Sequence, residues 1–178
     1  VSQSDSSVTA SVAKEIALGR SSVNLLAGQF GAEVIAVDIG MCADVDDRRV
    51  LDRKIAYGTG NISAGPAMTR EQAQSAVNAG IQLARELSQN GTDIIITGEM
   101  GIGNTTTSAA VASVILGISP ERAAGRGAGL DSAGLSRKID AVKRAIAVNQ
   151  PDSSDPFDLL SKLGGFDIAG MTGLFLGG

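Results

Sequence analysis

Several residue types that support common enzyme chemistries are absent or scarce in this chain of 178 residues. It contains no histidine, no tryptophan and a single cysteine, Cys42. The lack of histidine excludes Ser-His-Asp triads, histidine acid–base catalysis and histidine-ligated zinc, and one cysteine cannot form an internal disulfide. Any catalysis by this chain must therefore use carboxylates, lysine, hydroxyls and backbone dipoles, and we expect neither a metal nor a cofactor.

Aromatic residues and long apolar runs are also scarce, which limits the partners of the chain. Aromatic residues make up 3% of it, the net charge is −4, and no long cluster of lysine and arginine occurs. A nucleic-acid surface needs a basic stripe and usually stacking rings, so we expect no nucleic-acid partner. Apolar runs such as Ile94 to Ile96 are too short to span a bilayer, and Val1 to Ala10 has no signal-peptide pattern. We therefore expect a cytoplasmic protein without a membrane partner.

Glycine, in contrast, is abundant. The chain has 23 glycines, which is about twice the average fraction. They cluster within residues 58–65, 98–103, 125–134 and 164–178. Clustered glycines between periodic segments indicate tight turns, or backbone that lies close to a ligand.

The apolar pattern predicts an α/β fold in which a Rossmann-like parallel sheet is flanked by helices. Two β-branched runs, 33–38 and 92–97, predict buried parallel strands, and the charged stretch 42–56 predicts a long loop. One amphipathic helix is predicted over 7–27, and others over 69–87, 105–116, 156–163 and 166–176. The last helix is apolar to its end, so we expect the partner that it should cover to be missing. Since no repeat or strong domain boundary occurs, residues 1–178 are predicted to form one nucleotide-binding core.

A nine-residue segment between the second predicted strand and a helix is the sharpest motif. It reads Gly-Glu-Met-Gly-Ile-Gly-Asn-Thr-Thr over 98–106. Its spacing matches a P-loop, Gly-x-x-x-x-Gly-x-Thr, in which Asn104 replaces the lysine. Without that lysine, hydrolysis of a nucleoside triphosphate is disfavoured, whereas the N–H groups at the helix start still favour one phosphate. A dinucleotide fingerprint fits less well, because Thr106 stands where a third glycine is needed. The structural alternative is a strand-to-helix turn capped by Thr105.

Three charged residues are candidates for ligand binding or catalysis beside this loop. Glu99 and Asp38 each lie at the carboxyl end of a predicted strand, where open α/β sheets bind ligands. Either could bind a sugar hydroxyl, act as a base or cap a helix, and if the two strands are neighbours both carboxylates face one crevice. Lys138 follows the glycine-rich stretch 125–134 and could add a cation to a bound phosphate, although a single surface lysine is common.

Five motifs occur in the same order as in a known family. They are Asn61 with Gly-Pro-Ala-Met at 65–68, the segment 98–106, Gly-Arg-Gly-Ala-Gly-Leu-Asp at 125–131, Leu-Ser-Arg-Lys at 135–138 and Gly-Gly-Phe-Asp-Ile-Ala at 164–169. Together they resemble the nicotinate-nucleotide:dimethylbenzimidazole phosphoribosyltransferase family. The resemblance implies transfer of ribose 5-phosphate from nicotinate mononucleotide to 5,6-dimethylbenzimidazole, giving α-ribazole 5′-phosphate for the lower ligand of cobalamin. It also implies a homodimer with a Rossmann-like large domain and a small helical domain.

The resemblance further implies roles for individual residues. Glu99 would lie beside the ribose and the scissile bond, while Gly101 and Gly127 would offer N–H groups to the phosphate and Lys138 would pair with it. The other expected substrate contacts are Met100, Gly103, Asn104, Thr105, Thr106 and Asp38. The family's catalytic base is a glutamate near the carboxyl end of a chain almost twice this long. We therefore expect this chain to be an incomplete family domain with little activity alone.

Two alternatives stay open at the level of sequence. A non-catalytic module could use the same loop to bind a phosphate ligand. A degenerate P-loop NTPase would bind ATP with magnesium despite Asn104. Activity gained by appending the family's carboxyl-terminal region would favour the transferase, and magnesium-dependent ATP binding would favour the NTPase.

Overall fold

A computed structural model describes all residues from Val1 to Gly178. The chain forms eight helices and a small sheet of two strands. The elements in chain order are α1 (Ser7–Ala17), α2 (Ser22–Gln29), β1 (Ala36–Asp38), β2 (Val50–Asp52), α3 (Arg70–Gln89), α4 (Asn104–Leu116), α5 (Pro120–Ala123), α6 (Ser132–Asn149), α7 (Pro156–Leu163) and α8 (Phe166–Gly177).

The two strands are parallel, so the predicted α/β class with a parallel sheet flanked by helices is confirmed. Ala36 pairs with Val50 and Asp38 with Asp52. The prediction of a loop over 42–56 is wrong, because β2 lies within it. The sequence signal for β2 is weak, because only two apolar residues stand between charged ones. The strand is stabilised by its pairing with β1.

The predicted buried strand at 92–97 is also wrong in this structure. These residues form no strand, and the side chains of Ile94 and Ile96 are 78% and 86% exposed. The physical reason is the lack of a partner: β1 pairs with β2 alone, and no other strand offers backbone groups to 92–97. An apolar run has the composition of a buried strand. It forms such a strand only when a neighbouring strand pairs with it and apolar residues cover it.

The predicted single helix over 7–27 is two helices. α1 ends near Gly19, which has a φ of +75°, a left-handed conformation that glycine adopts without steric cost. The Ser21 backbone N–H donates to the Asn24 side chain, so a capping box begins α2. The apolar periodicity continues across this break and hides it from a pattern search.

Local signals place several other helices correctly. Thr69 caps α3 with a box in which its hydroxyl accepts from the Gln72 N–H at 3.2 Å and the Gln72 side chain accepts from the Thr69 N–H at 2.9 Å. α5 and α7 begin at Pro120 and Pro156, whose fixed φ suits the first helical position.

Helix α8 packs against α3 through glycines. A Cβ at Gly173 would collide with the carbonyl of Val77, and a Cβ at Gly80 would collide with the carbonyl of Gly170. The expectation that α8 lacks a partner is therefore wrong for this face, because the absence of side chains lets the two backbones touch. Phe175 on α8 is 73% exposed and has no cover.

One apolar core joins α3, α4, α6, α7 and α8. Its members are Ile62, Ala67, Met68, Ala73, Ala76, Val77, Ala109, Ala110, Val142, Ala145, Leu159, Leu160, Leu163, Phe166 and Ala169. This core anchors α4, α6 and α8, the three helices that the glycine-rich loops precede. No helix of the chain is both long and apolar enough to cross a membrane.

Candidate functional site

The loop before α4 leaves the start of that helix without a side-chain cap. Gly103 is the N-cap residue, with a φ of +97°, and no acidic side chain lies in the first turn. The alternative of a turn capped by Thr105 is therefore wrong, because a glycine occupies the cap position. The Asn104 carbonyl accepts from the hydroxyls of Thr107 and Ser108 at 2.8 and 2.9 Å. N–H groups at an uncapped helix start carry partial positive charge and favour an anion.

Lys138 lies beneath this loop, on α6, and is only 1% exposed. Its Nζ donates to the Thr105 hydroxyl at 2.8 Å and to the Gly125 carbonyl at 3.0 Å. No carboxylate forms an ion pair with it. Burial lowers the pKa of the Lys138 ammonium. A buried cation held only by neutral oxygens lacks the charge compensation that such groups normally have, and an anion would supply it.

Gly127 brings a third chain segment to the same place. Its φ is +55°, and a Cβ on it would lie 2.9 Å from Thr105 Oγ1 and 3.7 Å from Lys138 Nζ. A side chain there would crowd both groups, so the left-handed turn needs glycine for conformation and for space. The structure therefore brings together Gly127, Thr105 and Lys138 from three separate segments.

The segment containing Gly127 is held by side chains at its two ends. The Arg126 guanidinium donates to the Leu130 carbonyl at 2.8 Å and to the Ser132 hydroxyl at 3.2 Å. Asp131 caps α6 by accepting from the Gly134 N–H at 2.6 Å. Both contacts fix the start of the helix that carries Lys138.

Glu99 and Met100 lie on the same loop as Gly101, two to four residues before the N-cap of α4. The loop is tied to α1, because the Ile102 N–H donates to the Thr9 hydroxyl at 3.1 Å. Glu99 is exposed. Partial burial of the carboxyl group raises the pKa of Glu99, the negative charge of Asp167 adds to the rise, and the backbone of Gly101 opposes it.

The strands that were expected to bring Asp38 and Glu99 into one crevice are not neighbours. The expectation depended on adjacent strands, and the strand beside β1 is β2 rather than 92–97. The Asp38 carboxylate is buried, forms an ion pair with Lys54 at 2.8 Å, and accepts from the N–H groups of Gly40 and Met41 at 3.0 and 2.9 Å. These contacts explain Asp38 as part of the turn after β1.

Asp167 is a carboxylate that reasoning from the sequence gave no role. It lies in the first turn of α8, and its Oδ2 is 4.0 Å from the position of a Cβ on Gly101. The signal available in the sequence was an acid in the first turn of a helix that starts after two glycines. No group of three or more acidic or cysteine side chains is arranged to hold a metal ion.

A protein-family model described as Phosphoribosyltransferase matches residues 1–178. The chain therefore belongs to this phosphoribosyltransferase family, and the family resemblance noted in the sequence is confirmed.

Individual relatives carry a more specific name. The chain is 48% identical over 177 residues to the nicotinate-nucleotide--dimethylbenzimidazole phosphoribosyltransferase of Ruminiclostridium cellulolyticum, covering 99% of this chain and 50% of that protein. It is 45% identical over 178 residues to the protein of the same name from Roseiflexus castenholzii, covering 99% of this chain and 50% of the relative. The crystal structure of CobT from Thermus thermophilus superimposes with a TM-score of 0.94 at 35% identity, covering 100% of this chain and 54% of that one. The chain thus spans about half the length of the curated relatives it matches.

Proposed function

We propose that this chain forms the phosphate- and ribose-holding core of an enzyme that transfers ribose 5-phosphate from nicotinate mononucleotide to 5,6-dimethylbenzimidazole. The product would be α-ribazole 5′-phosphate. The names of the relatives support these substrates. The observation on the chain itself that carries the proposal is Lys138, a buried cation with no anionic partner beside an uncapped helix.

The phosphate of the nucleotide is the group that completes this site. One phosphate would accept hydrogen bonds from Lys138 Nζ and from N–H groups of Gly101 and Gly127, and would lie at the start of α4 where Gly103, Asn104, Thr105 and Thr106 meet. Its negative charge would compensate the buried ammonium and the positive end of the helix dipole together. No lysine occupies the P-loop position, and nicotinate mononucleotide has no outer phosphates for such a lysine to reach.

The chemistry of this transfer suits a chain without histidine. The pyridinium ring of nicotinate mononucleotide carries a positive charge that is neutralised when the electron pair of the C1′–N bond moves to the ring nitrogen. Departure of nicotinate therefore needs no general acid. The incoming benzimidazole nitrogen attacks C1′ from the opposite face, which inverts the β-nucleotide to an α-riboside and requires both bases to flank the ribose. The N–H proton of the benzimidazole passes to a carboxylate base, which the family resemblance places near the carboxyl end of the longer family chain. We place Glu99 beside this ribose, as a carboxylate that accepts a hydrogen bond from it, with Met100 lining the same side.

The assembly and the location of the protein follow from the same proposal. We infer that residues 1–178 act as one α/β nucleotide-binding core, and that the complete enzyme is a cytoplasmic homodimer with a benzimidazole as its second substrate. Support comes from the single core that joins five helices and from the family to which the chain belongs.

Calorimetric titration with nicotinate mononucleotide tests the phosphate assignment. Lys138→Met should weaken binding about tenfold to a hundredfold, because it removes a charge-assisted hydrogen bond. Lys143→Met is the matched control: it also lies on α6, is exposed and pairs with Glu121, so it should leave the affinity unchanged. Equal affinities in the wild-type chain and Lys138→Met would contradict the proposal.

A further inference from the structure

Helix α4 is apolar on two opposite faces. Its inner face, with Ala109, Ala110 and Ser113, is buried, and the two alanines belong to the core. On the outer face, Ile115 and Leu116 are 61% and 65% exposed. The helix contains no charged residue. A helix that is apolar all round is normally covered on every side, so the outer face of α4 lacks a cover in this chain.

The outer face of α4 forms one wall of an apolar groove, and helix α8 contributes to this groove through Ile168. The groove has a volume of about 350 Å³. Its residues on α4 recur every three to four positions and therefore lie on one face of that helix. The residues that line this α4–α8 groove are Ser108, Val111, Ala112, Ile115, Leu116 and Ile168.

The α4–α8 groove suits apolar packing and has little to offer a polar ligand. Ser108 is its only polar lining residue, and the Ser108 hydroxyl already donates to the Asn104 carbonyl at 2.9 Å. No charged side chain lines the groove. Covering Ile115 and Leu116 would remove apolar surface from water, which is the main favourable contribution to most protein association. The groove is therefore suited to an apolar polypeptide surface.

The relatives of this chain contain about as much polypeptide outside the matched region as within it. The 177 aligned residues make up 50% of the Ruminiclostridium cellulolyticum protein. This chain superimposes on CobT from Thermus thermophilus with a TM-score of 0.94 while covering 54% of that chain. The fold of residues 1–178 therefore occurs in proteins that have a further domain-sized stretch available to pack against α4 and α8.

We propose that the α4–α8 groove is a docking surface for the part of the enzyme that, in the relatives, lies outside the matched half. This part would place uncharged apolar side chains between Ile168 and the outer face of α4. The inference goes beyond the proposed function, because it depends on the groove and on the family fold and not on the identity of the substrates.

Cysteine labelling tests this cover directly. Residues 1–178 replace the matched half of the Ruminiclostridium cellulolyticum relative, and Ile115→Cys is compared in this chimera and in the free chain, both with Cys42→Ser. A water-soluble maleimide should react at position 115 about tenfold more slowly in the chimera, because a covered side chain reacts only through local opening. Val148→Cys is the matched control, since Val148 is 51% exposed, does not line the groove and, like Ile115, is the residue before the last in its helix. It should react equally in both proteins.

Two labelling results would overturn the proposal. One is an equal rate at position 115 in the chimera and in the free chain. The other is a rate in the free chain that falls as protein concentration rises, because it would assign the groove to a second copy of this chain.

Urea unfolding gives a second and independent measurement. Ile115→Lys should lower the unfolding midpoint of the chimera and leave that of the free chain unchanged, because the charge is buried only where the groove is covered. Val148→Lys should change neither midpoint. A chimera without cooperative unfolding, or one that tolerates Ile115→Lys, would contradict the docking surface. No nucleotide is present in these measurements, so their failure leaves the proposed function to be decided by the Lys138→Met titration.

Discussion

Lys54 and Lys138 are both largely buried lysines, but only Lys54 has a carboxylate partner. Lys54 Nζ lies 2.8 Å from the Asp38 carboxylate, and it also donates to the Met41 carbonyl at 2.8 Å. Lys138 Nζ contacts a hydroxyl and a carbonyl, at 2.8 and 3.0 Å. The first lysine completes a turn after β1, whereas the second holds a charge that nothing in the chain neutralises.

The pKa values of the two lysines shift in opposite directions. Burial alone would lower the pKa of Lys54, but the hydrogen bonds and charges of Asp38 and Asp44 together outweigh it, and the pKa is raised. Burial lowers the pKa of Lys138 with no opposing contribution. Burial of a cation is therefore uninformative by itself, and the missing counter-ion is what indicates an anion site.

The largest expected effect is on the stability of the Lys54 pair. Lys54→Met leaves the Asp38 carboxylate buried without its cation, so we expect the free energy of unfolding to fall by about 3–5 kcal/mol. Lys138→Met removes an uncompensated buried charge and should leave the stability unchanged or raise it. Urea unfolding followed by circular dichroism measures both.

A double variant serves as the control for that experiment. Asp38→Asn combined with Lys54→Met removes both charges while the Asn oxygen can still accept from Gly40 and Met41, and it should recover most of the loss. If Lys54→Met and Lys138→Met lower the free energy of unfolding by similar amounts, the proposed difference between the two lysines is contradicted.

A smaller effect is expected from two glycines in the loop beside Lys138. Gly127 and Gly129 both have positive φ values, +55° and +96°, so alanine at either should cost roughly 1–2 kcal/mol of stability. A Cβ on Gly127 would meet Thr105 and Lys138, whereas a Cβ on Gly129 would meet nothing within 4 Å. Only Gly127→Ala should therefore weaken ribose 5-phosphate binding, by about tenfold, the loss expected from one disturbed charged hydrogen bond.

Gly129→Ala is the matched control for Gly127→Ala, because it carries the same kind of backbone strain. Calorimetric titration of both variants, at a temperature where each is folded, provides the comparison. If both lose affinity alike, the loss comes from loop strain and not from the convergence of Thr105 and Lys138.

The sequence predicted the parts of the fold that depend on neighbouring residues. Thr69 with Gln72 marks the start of α3, and α7 matches its predicted bounds, Pro156–Leu163, residue for residue. Gly103 ends the loop before α4 where the glycine spacing indicated. These signals act within one helical turn and do not need the rest of the fold.

The features that the sequence did not predict depend on residues that are distant in the chain. β2 is defined by its register with β1, and 92–97 has the composition of a strand without a partner. Lys138 was a candidate from its motif, but its burial and the absence of a counter-ion are visible only once α6 is packed. Asp167 approaches Gly101 only after the four helices between them have packed, so no local pattern could place it beside that loop. The binding roles of these residues stay predictions.

Lys138, as a buried cation that takes its counter-ion from a phosphate ligand, is the centre of the proposed site. The most direct test is an NMR titration of the side-chain amines in the free chain and with ribose 5-phosphate, with Lys54 as the internal reference. In the free chain, Lys138 should titrate below the ordinary lysine value of about 10.4, and Lys54 above it. Ribose 5-phosphate should move the Lys138 midpoint to higher pH, because an anion stabilises the ammonium, and should leave Lys54 in place. A Lys138 midpoint at the ordinary value, or one that ribose 5-phosphate does not move, would contradict this role.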